Sequence, residues 1–449
     1  MNIHRKLLSE LGLNILDKTK RYTINEYLTV YHKSLRWSGD ELQNYQVEKL
    51  RRLLISANSN VSYYRKLFNE AGFNPEKFNY PDKLKSIPPL TRNDLQNNLN
   101  GLLSSVHDLS LCKKGSSSGS TGHPVIYYHD KNSLSAYKAA VLFQKQLAGY
   151  KPGDLWMNIW GNPTTVNIEW KKLGSRISKY LANEIRFPAY KLNQKESMEQ
   201  LVNILLTKKP KFIYGYTNAI YLLAEYLDAK SIRIDFVQGI FSTAENLQEF
   251  QRSLITQNIG RVFDHYGCSE ISGIAAQTQL SEEYLILDPH VYVEFGDVVD
   301  PRTGMRKLII TDLNNYVLPF IRYENGDLAT PGATANSTSS YSKIRSIDGR
   351  LSDIIKLPSG GTLVVPSFFG SRMLKNIDGV KQYQIVKYSA DKIRINLAVN
   401  GHFNNSSKDI INNTLKEYLP KDLQYDLVFD DKFIYSQNNK FKLFIDTSS

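Results

Sequence analysis

Cysteine is nearly absent: Cys112 and Cys268 are the only two in 449 residues. That excludes a disulfide framework or a four-cysteine zinc site, and a reducing compartment is the simplest home. No run of about 20 apolar residues occurs, which excludes a transmembrane helix. The start, Met1 to Tyr22, intersperses Arg5, Lys6, Glu10, Asp17, Lys18, Lys20 and Arg21 with apolar residues and so lacks a secretory core. The expected location is therefore cytoplasmic. A Walker GxxxxGK[ST] loop is missing, as is any long internal repeat. The densest basic runs, Lys49 to Arg52 and Lys208 to Lys211, are short and carry no nucleic-acid motif, so no nucleic-acid partner is expected.

What is present reads as an ordinary globular chain, 41% hydrophobic and 22% charged, long enough for two to four lobes. The net charge of +12 raises the local concentration of anions without choosing among them. It also permits peripheral membrane association, and a homodimer is equally compatible with the composition.

The first hundred residues read as helices, with apolar spacing of three and four over Asn44 to Leu53 and Asn60 to Ala71. Thr91, followed by Asp94, is a candidate helix cap. From Gly115 onward strands alternate with helices. Strands are expected at Val125–Tyr128, Trp156–Trp160, Lys211–Tyr214, Phe236–Ile240 and Val262–Tyr266, and helices at Asn132–Ala148, Glu196–Thr207, Asn218–Leu227 and Glu245–Thr256. The alternation predicts an α/β domain with a largely parallel sheet, its chemistry gathered beyond the strand ends. Later strands are expected at His290–Glu294, Arg306–Thr311 and Lys343–Ile347, with Asn336–Ser340 in a turn or exposed loop and a second boundary near Gly349–Asp353.

The sharpest local signal is GSSSGSTG, Gly115 to Gly122, before His123 and Pro124. Its glycines allow close approach of an anion, and its amides and hydroxyls can donate to phosphate oxygens. Standing alone it also reads as a flexible polar linker. Four further segments complete an ordered series: Tyr266-Gly267-Cys268-Ser269-Glu270, Pro319 to Asp327 (PFIRYENGD), Gly349 to Lys356 (GRLSDIIK) and Asn439-Lys440-Phe441-Lys442. In this order they resemble the motifs of the adenylate-forming superfamily, which includes acyl-CoA synthetases, and within it the phenylacetate-CoA ligase and CapK-like groups.

The resemblance implies a fold and an activity. The fold is α/β: a large adenylation domain with mixed, largely parallel sheets over residues 1–348, of which 1–100 form a helical entry, and a small mobile α+β C-terminal lid over residues 349–449. The activity is ATP-dependent activation of a carboxylic acid as acyl-AMP, with transfer of the acyl group to coenzyme A. The alternative acceptor is an amine or hydroxyl of a cell-surface polysaccharide precursor, as capsule biosynthesis would need, and a nucleotide-binding relative without catalysis is the reading from a different class.

By the same resemblance Ser118, Gly119, Ser120, Thr121 and Gly122 cradle phosphate. Tyr266, Gly267 and Ser269 flank the nucleotide, Glu270 positions Mg2+ and acts in catalysis, Asp327 receives the ribose hydroxyls, and Arg350 meets ribose or phosphate oxygens. Lys440 enters the cleft for adenylation, with Lys442 as its neighbouring competitor. From the residues themselves, a carboxylate such as Glu270 suits a hard cation, and Arg322 supports either its turn or the phosphates. Cys268 has no partner or base nearby and is read as packing. Trp156, Trp160, Tyr214 and Tyr216, near strand ends, are candidates for the acyl pocket and equally for core packing.

Overall fold

The computed structural model describes residues 12, 17, 22–117, 125–161, 171–192, 194–333, 341–357, 362–374, 377, 379–419, 421, 423–430, 432–434 and 443–447. Helices α1 (Ile24–Ser34), α2 (Gly39–Asn60) and α3 (Ser62–Glu70) form the helical entry. A capping box between Ser38 and Glu41 starts α2, satisfying amides that the first turn would otherwise leave unpaired. Thr91 caps the following short helix with Asp94 in the same way. Leu50, Leu54, Tyr64 and Phe68 from these helices share a core with Leu308, Ile310, Phe320 and Tyr323.

The main sheet has twelve strands. In chain order the strands are β1 (Leu90–Thr91), β2 (Lys113–Ser116), β3 (Ile126–His129), β4 (Trp156–Trp160), β5 (Glu184–Pro188), β6 (Phe212–Tyr216) and β7 (Gly239–Thr243). Next come β8 (Val262–Tyr266), β9 (Ala275–Thr278), β10 (Ser281–Ile286), β11 (Val291–Asp300), β12 (Met305–Asp312), β13 (Tyr323–Pro331) and β14 (Lys343–Arg350). The sheet runs β11-β12-β13-β14-β10-β9-β8-β7-β6-β4-β5, with β1 beside β13, while β2 and β3 form a separate hairpin. Strands β4 to β8 pair in parallel, whereas β8 to β14 pair antiparallel. The sheet is thus mixed, with its parallel half in the βα-alternating stretch.

Parallel pairing needs crossovers, and four described helices lie in them: Leu173–Leu181, Lys195–Lys208, Thr217–Ala229 and Glu249–Asn258. Leu201, Leu205, Ile220 and Leu223 on these helices pack against Met157, Ile159 and Ile213 of the sheet. The opposite face of the same strands carries Trp156, Asn158, Trp160, Tyr214, Tyr216, Phe241 and His265, because side chains alternate along a strand. The helix Lys131–Leu147 lies over that face, with Ala148 in contact with Phe212 and Phe241.

Beyond β14 a small sheet orders Gln424–Phe429, Lys392–Val399, Val380–Ser389 and Phe444–Asp446, covered by the helix Asn405–Tyr418. Its core includes Tyr383, Ile385, Ile393, Ile411 and Leu415, and Phe250 of the helix Glu249–Asn258 packs against it. It touches the large region through Tyr221 Oη donating to Lys381 O at 2.7 Å and Tyr383 Oη to Gln248 Oε1 at 3.3 Å.

One expectation needs correction, and two features were not foreseen. The strand placed at Phe236–Ile240 begins at Gly239, because Phe236 and Val237 pack as part of the connection beneath it. Asn325-Gly326, whose Asn-Gly pair favours a hairpin turn, lies inside β13 at a register shift, with Gly326 at φ 86°. Strand β5, at the sheet's edge, was not anticipated.

Candidate functional site

The turn after β8 organises the site. Gly273 adopts φ 73°, and a Cβ there would stand 2.6 Å from Ala140 Cβ, so glycine and alanine together let the Lys131–Leu147 helix press against the turn. That approach brings Tyr137 Oη to 2.8 Å from Glu270 O and 2.5 Å from Asp312 Oδ2. Glu270 is buried, and its Oε1 accepts from Tyr323 Oη at 3.3 Å.

Asp327 lies directly across the β13–β14 ladder from Arg350. Its Oδ1 accepts Arg350 Nε at 3.0 Å, while Oδ2 accepts Tyr266 Oη and Asn325 Nδ2, each at 2.8 Å. Asn325 Nδ2 also donates to Tyr266 Oη at 2.9 Å, and Asn325 Oδ1 accepts the Asp327 amide. Burial first, then the Asp327 charge, push the Tyr266 hydroxyl well above the ordinary phenol range, so it stays a donor. The Arg350 guanidinium is raised by Asp327 and remains about half exposed. Asp353, three residues past β14, is raised by burial, which Arg350 partly offsets.

Tyr266, Asn325, Asp327 and Arg350 therefore form one hydrogen-bonded cluster, and Glu270, four residues past Tyr266, is held separately by Tyr323. Ser269 sits on the other side of the turn and lines a cavity of about 1390 Å3 with Ser272, Tyr127, Tyr137, Lys145 and Trp156. Trp156 is the one acyl-pocket candidate on that wall. Trp160 instead stacks on Tyr214 and Tyr216, with ring centroids 5.6 and 4.0 Å away, in a patch further along the same sheet face. Cys268 packs against the core, and burial drives its thiol well above the usual range, consistent with packing and not nucleophilic work.

Ser118, Gly119, Ser120, Thr121, Gly122 and Lys440 lie outside the described residues. The base of the first segment is described. Ser117 and Val125 bridge it, through Ser117 N to Val125 O at 2.9 Å and Val125 N to Ser117 Oγ at 3.0 Å. Arg92 Nη2 donates to the same Ser117 Oγ at 2.9 Å, putting a cation at the foot of the glycine-rich segment. Sequence reading missed Arg92, whose only signal was its place after the Thr91 cap. It also passed over Asn325 and Tyr137, which act through contacts 59 and 133 residues away. Arg322 turns away from the cluster. It pairs with Glu294 at 3.0 Å and donates to the Lys85 and Ile87 carbonyls, holding β13 to the segment before β1.

Among the described residues no group of three or more His, Cys, Asp or Glu could hold a metal ion. A single buried carboxylate, Glu270, fits the manner of Mg2+, which keeps water and binds mainly through one or two carboxylates and substrate phosphates. No helix among the described residues is long and apolar enough to cross a membrane.

No protein-family model matches the chain. The chain is 26% identical over 367 residues to the phenylacetate-coenzyme A ligase of Pseudomonas putida, covering 78% of this chain and 80% of that relative. It is 24% identical over 429 residues to Protein CapK of Staphylococcus aureus, covering 94% and 89% respectively. Among solved structures, 2-hydroxyisobutyryl-CoA ligase in the postadenylation state with R3-HIB-AMP superposes with a TM-score of 0.69 at 18% identity, over 89% of this chain and 88% of that one.

Proposed function

We infer that this chain, a member of the adenylate-forming superfamily, activates a carboxylic acid as acyl-AMP and passes the acyl group to coenzyme A. The observation that carries this reading is the Asp327 node. One carboxylate from β13 gathers the end of β8, through Tyr266, and the end of β14, through Arg350, beside the buried Glu270. A carboxylate offers about four lone-pair positions, so Asp327, with three donors, has room for a ribose hydroxyl. The phenylacetate-coenzyme A ligase likeness, over most of both chains, supports coenzyme A as acceptor.

In the first half-reaction a carboxylate oxygen of the acid attacks the α-phosphorus of ATP, and the bond to the pyrophosphate oxygen breaks. Orientation and fixed charge carry such a step without a covalent enzyme intermediate. Asp327 would hold the ribose, Arg350 would orient Asp327 and face the phosphates, and Ser118 to Gly122 would cradle phosphate. Mg2+, when bound beside Glu270, supplies charge neutralisation of the phosphates. Residues 349–449 would act as the lid, bringing Lys440 to the transferring phosphate. In the second half-reaction the coenzyme A thiolate attacks the acyl carbonyl and AMP leaves.

A second acceptor, the amine or hydroxyl of a glycan precursor implied by the CapK-like motif resemblance, stands beside it; the likeness to Protein CapK spans more of this chain. Incubation with ATP, Mg2+, an acid panel and coenzyme A, read by mass spectrometry, tests the choice. Acyl-CoA is the expected product. Coenzyme A-independent acylation of a glycan precursor, with no acyl-CoA, would overturn the first reading in favour of the second.

A further inference from the structure

The Lys131–Leu147 helix ends its last turn with a lysine, Lys145, whose side chain is buried on the aromatic face of the sheet. Its ammonium stands 3.9 Å from the Trp156 ring centroid, 4.2 Å from that of Tyr214 and 5.9 Å from that of Phe241. No carboxylate among the described residues comes within ion-pair distance of it. Glu184 is the nearest acid in electrostatic effect. Its carboxylate is already engaged, by Arg186 Nε and Nη2 at 2.9 Å each and by Asn158 Nδ2 at 2.6 Å. Glu184 and Arg186 cancel, and among the described residues Lys145 remains as one positive charge, buried on the sheet face, without an ion-pair partner.

Two more polar atoms on this sheet face lack a partner. His265 Nε2 and Asn158 Oδ1 are both buried without a hydrogen bond. His265 lies in the same register row as Tyr216 and Trp160, with its ring 5.1 Å from Phe241. Burial, with Lys145 adding to it, pushes His265 down to about 3, so it is neutral. The aromatic cage contributes roughly 0.5–2 kcal/mol to holding the ammonium. An unpaired buried charge costs more than that. A leucine or methionine would fill the same space without the cost, and burial with a cavity in front marks a charge kept for a ligand.

Lys145 and Ser269 line the same cavity, and Ser269 is the neighbour of Glu270, where the acid's reacting carboxylate belongs. We propose that Lys145 is the floor of the acyl pocket and selects a carboxylic acid whose far end carries a second anionic group, in the simplest case a dicarboxylic acid. The Lys145 ammonium pairs with the remote anion, the Trp156 ring on the cavity wall flanks the connecting chain, and Tyr214 holds the ammonium from behind. Burial pushes the free lysine down to about 8, partly offset by Glu184, so it is protonated at neutral pH. This inference rests on the ligase reading above.

The test pairs acids of equal length on the full-length enzyme: hexanoate with adipate, and phenylacetate with 4-carboxyphenylacetate. Pyrophosphate release is measured in wild type and in Lys145→Met. Wild type should favour the diacid of each pair, and in Lys145→Met the ratio of kcat/KM, diacid over monoacid, should fall by about tenfold or more, the scale of one charge-assisted contact. A wild-type preference for the monoacids, or a variant that lowers both acids in proportion, would overturn the proposal. If the variant does not fold, the wild-type preference alone decides. A second readout does not need turnover, because Trp156 fluorescence should change on titration with the diacid in wild type. Diacid binding without pyrophosphate release upholds the anion subsite and overturns the ligase reading, whereas neither response with any acid overturns both.

Discussion

Tyr266 Oη donates to Asp327 Oδ2 at 2.8 Å across 61 residues of sequence, tying the end of the parallel half of the sheet to the middle of its antiparallel half. Arg350 holds the other oxygen of that carboxylate at 3.0 Å. Replacing Asp327 with Ala removes the acceptor that the ribose would use while leaving Arg350 half exposed. ATP affinity should fall by about tenfold to a hundredfold, the range for hydrogen bonds to a charged group. Equilibrium nucleotide binding measures it, and Asp327→Ala with wild-type affinity and wild-type melting would contradict the ribose role.

Gly273→Ala should damage the site through its scaffold. The residue would carry a Cβ at φ 73° and meet Ala140 Cβ at 2.6 Å. Strain and overpacking each cost on the order of 1–3 kcal/mol. Urea denaturation should show the loss, and pyrophosphate release should fall because Tyr137 retreats from the Glu270 carbonyl. An unchanged midpoint would mean that the helix can move aside freely.

Tyr137→Phe deletes a hydroxyl shared between Asp312 and the Glu270 carbonyl. Burial already raises Asp312 to about 6 despite the Tyr137 hydrogen bond. Loss of that bond strands a buried acceptor at a cost of roughly 1–3 kcal/mol. Denaturant unfolding at pH 7 should show the loss, and it should shrink at pH 5, where Asp312 is protonated. Equal losses at both pH values would exclude Asp312 as the source.

The pH dependence of stability has a sign that can be assigned to one group. Asp288 accepts the Ser342 amide at 2.7 Å, yet burial raises its carboxyl to about 7. Its folded value lies above the unfolded one, so the native state binds more protons and this contribution to stability is lost as pH rises toward 7. His129 and His290, pushed down to about 4 by burial, act with the opposite sign below about pH 6.5 and are common to wild type and variant. Asp288→Asn keeps an acceptor for Ser342. From pH 5 to pH 8 the variant should gain about 2 kcal/mol on wild type, at ~1.4 kcal/mol per pH unit. A pH-independent difference in thermal or denaturant stability would refute the assignment.

The legible parts of the chain are those where local pattern and tertiary demand agree. Trp156–Trp160 and Val262–Tyr266 are legible to the residue because aromatic and β-branched residues at their ends, either side of one central polar residue, suit strands with covered faces. Strand β5, Glu184–Pro188, carries Glu184, Arg186 and a terminal proline, and Glu184 finds its cross-strand partner, Asn158 of β4, only in the fold. The Asn325-Gly326 pair has the local chemistry of a turn, but Asn325 spends its side chain on Tyr266 and Asp327, and the backbone runs on as strand. Motif order pointed to Glu270, Tyr266, Asp327 and Arg350. It could not point to Tyr137, Arg92 or Lys145, because nothing local marks a tyrosine, arginine or lysine whose partners lie on another element.

Lys440→Ala separates the half-reactions. The resemblance assigns this lysine to the transferring phosphate, and removing one donor of that kind typically costs 10²- to 10³-fold in rate. Acyl-AMP formation should drop on that scale, while transfer from supplied synthetic acyl-AMP to coenzyme A should largely survive. Normal acyl-AMP formation in a folded Lys440→Ala protein would shift the assignment to Lys442.

The central claim, that the Asp327 cluster and Glu270 together form an acyl-adenylate, is tested most directly by isotope exchange between labelled pyrophosphate and ATP in wild-type enzyme. Exchange should require both Mg2+ and a carboxylic acid, proceed without coenzyme A, and be lost in Asp327→Ala. ATP binding without acid-dependent exchange, across diacids and monoacids alike, would contradict the account and leave a nucleotide-binding protein without adenylation chemistry.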